Sequence, residues 1–118
     1  MVASTLYEKR FGSYFSTPVI VGLEQRGDDW ESIVTTYDNI GFKSSEAGYQ
    51  TCGTGQAIAL GVCESYWREG MNKDELFETI SQCLLATLDR DSFSGWGANV
   101  YIMTPEEITV KQLRTRQD

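Results

Sequence analysis

Apolar and polar positions along the chain fall into three spacings, and each predicts a different kind of element. Val2 and Leu6, four apart and followed by Gly12, predict the closing turns of a helix over residues 2–11. No capping residue or lead-in precedes it, so this helix is expected to be under way at Met1. After Pro18 the spacing collapses into the apolar run Val19-Ile20-Val21-Gly22-Leu23, a short strand. Gln25-Arg26-Gly27-Asp28-Asp29 reads as a turn, and residues 30–37 alternate loosely and are rich in Ile, Val and Thr. That segment is expected to pair with the first strand as a hairpin. Asp38-Asn39-Ile40-Gly41 is a further turn, and a third, weaker strand is expected before Gly53.

The period then lengthens to that of helices. Residues 54–67 carry Ala57, Ile58, Ala59, Leu60, Val62 and Cys63, apolar on almost every side, which predicts a buried helix. The next helix starts with Asn72 as N-cap, Glu75 three residues on, and Asp74 at the positive end of the dipole. Leu76, Phe77, Ile80, Leu84 and Leu88 form one stripe at three- and four-residue spacing, with Glu78, Thr79 and Gln82 outside it. It should stop near Asp89-Arg90-Asp91. Two strands close the chain, residues 98–103 and 108–113, around the turn Thr104-Pro105-Glu106-Glu107. Strands, a helix pair and strands again give an α+β class with antiparallel sheet. Residues 19–21 and 100–103 are continuous apolar runs where a half-covered antiparallel strand should alternate. Both sheet faces therefore call for a cover that the helix pair supplies only once, an expectation that an N-terminal half is missing. A small dimer over the second face would meet the same demand.

Composition narrows the chemistry. At 118 residues one domain is expected, and no apolar run approaches the roughly 20 residues that span a bilayer. The first ten residues lack a charged leader before an apolar core, so no secretory signal is expected. A formal charge of −7 and scattered Lys and Arg argue against nucleic acid or an anionic membrane surface as partner. Cys52, Cys63 and Cys83 are odd in number and form no C-x-x-C pair, which disfavours a disulfide framework or zinc site. They are expected to be small buried residues in a reducing compartment, the cytosol or nucleus. The absence of His removes Ser-His-Asp, Cys-His and H-E-x-x-H chemistry and leaves hydroxyls, amines and carboxylates.

Four short motifs remain. Cys52-Gly53-Thr54-Gly55, opening a helix, lacks the third glycine and the lysine of a phosphate loop, and reads as a tight turn with Thr54 as N-cap. Asp28-Asp29 and Glu106-Glu107 read as solvated turns, because acid–base work needs carboxylates converging from different elements. Asp89-Arg90-Asp91-Ser92-Phe93-Ser94-Gly95-Trp96 is the densest polar cluster. Composition alone makes it a helix-ending turn, with no base beside any Ser or Thr and no S-x-x-K among Lys9, Lys43, Lys73 and Lys111.

Three strings nevertheless carry a resemblance over essentially the whole chain. Leu6-Tyr7-Glu8-Lys9-Arg10-Phe11-Gly12, Leu76-Phe77-Glu78-Thr79-Ile80-Ser81-Gln82 and the D-R-D-x-x-S-G of residues 89–95 look like the second half of a beta-type subunit of the eukaryotic 20S proteasome. The non-catalytic third type is the nearest match. The resemblance implies an N-terminal-nucleophile hydrolase fold, a four-layer αββα sandwich of antiparallel sheets, of which residues 1–118 would be one partial domain. It implies stacked heptameric rings that degrade ubiquitinated proteins, with unfolded polypeptide cut inside. The implied partners are beta subunits of the same and the opposing ring and alpha-ring subunits.

In the catalytic relatives the nucleophile is an N-terminal Thr helped by an Asp and a Lys, all upstream of Met1 by this resemblance. Three supporting positions and one spacer map onto this chain. Thr54 matches the helper Ser of a G-S-G turn, Asp91 and Ser94 match the D-x-x-S pair that orients the threonine amine, and Gly95 follows. Trp96 departs from the second glycine usual in active subunits. The expectation is a vestigial site with no catalytic residue, no cofactor and no resident metal. Some family members hold a magnesium or similar hard cation with carbonyls of this loop, here the loop of Asp91 and Ser94, and a neighbour's terminal carboxylate, for which Asp118 is the donor this chain offers. Tyr14, Phe15, Tyr66, Trp67 and the tail 111–118 are candidate subunit contacts. Two competing expectations stand beside this one: an active threonine endopeptidase whose nucleophile lies upstream, and a stand-alone acidic dimeric binding module.

Overall fold

The computed structural model describes residues 1–45 and 48–118. The chain falls into two units, Met1–Gly53 and Thr54–Asp118.

In the first unit, helix α1 covers Val2–Glu8, three residues shorter than the periodicity predicts. Met1 caps it without a side-chain bond. The Met1 carbonyl instead accepts from the Ser4 and Thr5 hydroxyls, both at 2.9 Å. The helix ends early because its hydrogen bonds switch to i→i−3 spacing, Lys9 N–H to Leu6 O, Arg10 N–H to Tyr7 O and Gly12 N–H to Lys9 O. Strands β1 (Val19–Arg26) and β2 (Asp29–Tyr37) pair antiparallel, from Val19 opposite Thr36 to Arg26 opposite Asp29. The turn is therefore only Gly27-Asp28, with Gly27 at φ +65°. Gln25 and Arg26 extend the strand although they read as turn residues. Their ladder partners continue, and the Arg26 guanidinium spans Glu24 at 3.1 Å and Glu31 at 2.9 Å.

The third strand shrinks to β3, Lys43–Ser44, paired with Tyr37 and Thr36. Part of its expected length, at positions 46 and 47, lies outside the described residues. The turn before it is built on the Asp38 carboxylate, which accepts from the N–H groups of Ile40 at 3.0 Å and Phe42 at 2.7 Å. Gly41 in that turn sits at φ +97°, where a Cβ would stand 2.5 Å from the Ala3 carbonyl oxygen. Ile20 and Val21, on opposite faces of β1, are 43% and 58% exposed, so neither face of this sheet is closed within the chain.

In the second unit, α2 spans Gln56–Tyr66 and α3 spans Lys73–Arg90. The capping box appears as predicted: Asn72 Oδ1 accepts from Glu75 N–H at 2.9 Å and Glu75 Oε2 from Asn72 N–H at 3.2 Å. The two helices pack together. The burial of α2 differs from expectation. Among its residues only Cys63 is buried, while Leu60 is 47% exposed and Ala57 and Gly61 are open, because α3 covers one side of it. On α3 the covered surface follows the predicted stripe only at its C-terminal end, where Leu88 is buried and Leu84 half-buried. Ser81, Cys83, Thr87 and Leu88 are buried, whereas Leu76 and Ile80 are 43% and 41% exposed. A helix packed against α2 and β4 is covered on two sides, and small side chains suit such close approach.

Strands β4 (Ala98–Met103) and β5 (Ile108–Leu113) fall where the sequence places them and pair antiparallel, Ala98 opposite Leu113. α3 packs on β4, and Val100 is buried. The opposite face pairs Tyr101 with Val110 and Met103 with Ile108, all at least 40% exposed. The continuous apolar run thus has one covered and one open face within this chain. Helices with two separate antiparallel sheets make the α+β class expected.

Two of the three cysteines are buried as expected and the third is not. Cys63 is 4% and Cys83 2% exposed, but Cys52 lies on the surface. Burial, reinforced by the Cys83 thiol as hydrogen-bond partner, pushes the Cys63 thiol up to about 12. Thiolate is the species that alkylates, so iodoacetamide near pH 8 should label Cys52 and leave Cys63 unlabelled until the chain is denatured. Peptide mapping by mass spectrometry checks this; labelling of Cys63 in the folded protein would contradict the packing described.

Candidate functional site

Asp91 is the residue on which the polar cluster converges. It is the C-cap of α3, with extended backbone (φ −103°, ψ 115°), and its N–H still donates to Thr87 O at 3.0 Å. Leaving the helical conformation there starts the loop 91–97 that leads into β4. The residue is 6% exposed, so its carboxylate needs hydrogen-bond donors. Three arrive. Thr54 Oγ1 donates to Oδ2 at 2.6 Å, Ser94 Oγ donates to the same oxygen at 2.7 Å, and Phe93 N–H donates to Oδ1 at 3.2 Å. The two hydroxyl oxygens lie 3.5 Å apart. Ser94 N–H adds a backbone bond to Asp91 O at 3.3 Å.

This geometry brings together the three residues singled out from the sequence, and it corrects one reading. Thr54 does not cap α2. Gly55 is the N-cap, with no side-chain cap bond, because the Thr54 hydroxyl is committed to Asp91. A charged acceptor makes a stronger hydrogen bond than a neutral backbone amide cap, which favours this exchange. Gly55 is buried beside the cluster, and a Cβ there would stand 2.6 Å from the Thr87 methyl and 3.1 Å from Asp91 Oδ2. Sequence reasoning missed Thr87 and the Phe93 amide. The available signal was Gly55 itself, a glycine where a helix start favours a capping side chain.

Gly95 is exposed in the loop, and Trp96 after it takes φ +60° with 78% exposure. A bulky side chain in the left-handed region costs about 1–2 kcal/mol relative to its usual conformation. That is the position where the resemblance expects a second glycine, and the backbone keeps a glycine-like conformation without one.

The Thr54 hydroxyl bond, then the Ser94 hydroxyl bond, then the Phe93 amide hold the Asp91 carboxyl below its usual range, with burial opposing. A carboxylate of lowered pKa is a poor base at neutral pH. Both hydroxyls point their hydrogens at it and stay protonated. The cluster contains no amine or imidazole, so it orients groups and activates none.

The cation expectation fares as follows. Among the described residues no three Asp, Glu, Cys or His side chains gather as a metal cluster. Both Asp91 oxygens already accept hydrogen bonds, and Asp118 Oδ1 lies 4.0 Å from Arg116 Nε. The side chains of Asp91 and Asp118 are thus engaged within the chain, and a cation here would be held by carbonyls of the loop and a terminal carboxylate. Glu107 pairs with Lys73 at 3.5 Å and Asp28 stays in the hairpin turn. Tyr14, Phe15 and Tyr66 are exposed, while Trp67 is half-buried and so is a weaker contact candidate than expected.

Comparison with known proteins places this geometry in context. The family model described as "Proteasome subunit" matches residues 1–103. The chain is 47% identical over 118 residues to the proteasome subunit beta type-3 of Dictyostelium discoideum, covering all of this chain and 57% of that one. It is 47% identical to proteasome subunit beta type-3-A of Arabidopsis thaliana, over all of this chain and 56% of that one. Against the proteasome subunit beta type-3 of Saccharomyces cerevisiae the identity is 40%, over all of this chain and 57% of that one. The chain thus spans a little over half the length of these relatives.

Two outcomes follow for the cluster. Gly55→Ala places a methyl group against Thr87, and overpacking of this kind should lower stability by about 1–3 kcal/mol, read as a shift in the urea midpoint. An unchanged midpoint would mean that Gly55 and Thr87 are not in contact. For pH, the folded carboxyl of Asp91 sits below its ordinary value of 3.8. Its contribution is therefore complete above that value and is lost as pH falls through the lower folded value. Urea midpoints measured from pH 6 down to pH 2 should fall less steeply below about pH 4 in Asp91→Asn than in the parent. Equal slopes would show that the three donors do not favour the ionised form.

Proposed function

The chain belongs to the proteasome subunit family, and on that premise we propose that it is the C-terminal part of a non-catalytic beta subunit of the 20S core particle. The observation that carries this reading is identity of 40–47% along the entire chain to subunits named beta type-3. Its role is structural: it forms part of the wall of a proteolytic chamber and contacts beta neighbours in its own and the opposing ring and an alpha subunit. Exposed Tyr14, Phe15 and Tyr66 support such contacts, since aromatic side chains are enriched at interfaces. The particle takes unfolded polypeptide as substrate. Three free cysteines accord with a reducing compartment, the cytosol or nucleus.

The cluster at Asp91 supports a structural role over a catalytic one. Support groups stabilise a transition state only when a nucleophile attacks beside them. Within the second unit the hydroxyls of Thr54 and Ser94 are consumed in holding Asp91, and Trp96 replaces the expected glycine. One observation favours the second reading, an active threonine peptidase: the support geometry is intact, with both hydroxyls on one carboxylate oxygen.

Two measurements separate the readings. Native mass spectrometry of a C-terminally tagged full-length protein should recover it in a very large particle of related subunits. The purified particle should then be treated with an electrophile directed at N-terminal threonines. Label on other subunits and none on this one is the expected result. Label on this subunit would establish the peptidase reading, and recovery as a lone chain or dimer would remove the assembly role.

A further inference from the structure

The loop that carries Ser94 and Trp96 is tied at both ends to the same short stretch of chain. The β4–β5 ladder ends at Ala98 opposite Leu113, and residues 114–118 run on beyond it. At the far end of the loop, Gly97 N–H donates to Thr115 Oγ1 at 2.8 Å. At the near end, the Arg116 guanidinium donates from Nη2 to Leu88 O at 3.1 Å. Leu88 lies in the last turn of α3, where carbonyls have no partner within the helix. A guanidinium there satisfies one such carbonyl and meets the negative end of the helix dipole. Arg116 is itself steadied from the tail, with Nε 4.0 Å from Asp118 Oδ1 and its carbonyl accepting from Thr115 Oγ1 at 3.2 Å. The span between Leu88 and Gly97 contains Asp91 and Ser94 and bonds back to Thr54.

We propose that residues 114–118 form a strap across the two ends of loop 91–97, with Thr115 and Arg116 as positioning residues for the Thr54–Asp91–Ser94 cluster. The strap fixes the separation between the end of α3 and the start of β4. Phe93 N–H and the Ser94 hydroxyl meet the Asp91 carboxylate only at a limited range of that separation. It also holds the flanking backbone while Trp96 stays in the left-handed region, a conformation that persists when its surroundings over-determine it. Lifting the tail therefore loosens the cluster without touching any of its three side chains.

The test is amide hydrogen exchange by mass spectrometry on the full-length protein in its native assembly. Four variants are compared: Thr115→Val, Arg116→Gln, Arg116→Lys and, as a matched loss of charge on the same tail, Arg114→Gln. Thr115→Val keeps the side-chain shape and removes the hydroxyl that accepts from Gly97 N–H and donates to Arg116 O, so Gly97 should exchange faster. Arg116→Gln should raise exchange over residues 91–94 on the order of tenfold, the effect of losing a charge-assisted bond. Arg116→Lys should restore most of the protection, and Arg114→Gln should leave the loop unchanged. Wild-type exchange in both Thr115→Val and Arg116→Gln would overturn the strap. So would a uniform rise over residues 54–118, or an equal rise in Arg114→Gln. If Arg116→Gln does not enter the assembly, Thr115→Val decides the matter. The strap lies within one chain, so its failure leaves the subunit reading standing; failure to find the protein in a particle leaves the strap testable on the free full-length protein.

Discussion

A carboxylate that is 6% exposed has to be met by donors, and in the second unit this single requirement organises everything around Asp91. Its donors come from two places: a hydroxyl 37 residues earlier in the chain, and a hydroxyl and an amide two or three residues later. The first ties the start of α2 to the end of α3. The other two fold loop 91–97 back on the helix that precedes it. Bringing those backbones together leaves no room for a side chain at Gly55, where the Thr87 methyl already stands. A removed hydroxyl would leave the charge with fewer partners in the same space, which is why the members of such a cluster act as a unit.

The same geometry has two chemical uses, and electrostatics distinguishes them. Orienting an amine needs a carboxylate that stays ionised, and the three donors ensure that. Activating a hydroxyl needs a base, which a carboxylate held below its usual range is not. The cluster is therefore equipped to position a group brought to it and unable to generate a nucleophile of its own. Where nothing is brought, the same bonds remain useful as the closure of a helix-to-strand turn.

Much of this was legible in the sequence, wherever local chemistry alone decides. Asn72 and Glu75 announce the capping box because both partners lie within one turn, and the bounds of β4 and β5 follow from apolar runs closed by a turn containing Pro105. The misreadings mostly depend on partners that lie outside the segment being read. Thr54 looks like an N-cap until a carboxylate on another helix competes for its hydroxyl. Gln25 and Arg26 look like a turn until the opposite strand supplies ladder bonds and Glu31. α2 reads as buried on all sides because its composition is apolar, but composition does not say how many neighbours a helix has. Of the three cysteines only position could tell Cys52, beside a loop glycine, from Cys63 and Cys83 in helices.

Trp96 shows the hierarchy most directly. Its own preference is against φ +60°, by about 1–2 kcal/mol, and its side chain, 78% exposed, recovers little of that by burial in this chain. The conformation is therefore imposed from outside the residue. On one side Asp91 and Ser94 fix where the loop comes from, and on the other Thr115 holds Gly97 and the first rungs of the β4–β5 ladder fix where it must arrive. Between two fixed ends the intervening residues have few backbone solutions. A glycine would accept the left-handed one at no steric cost; a tryptophan accepts it because the bonds at either end together exceed its local penalty.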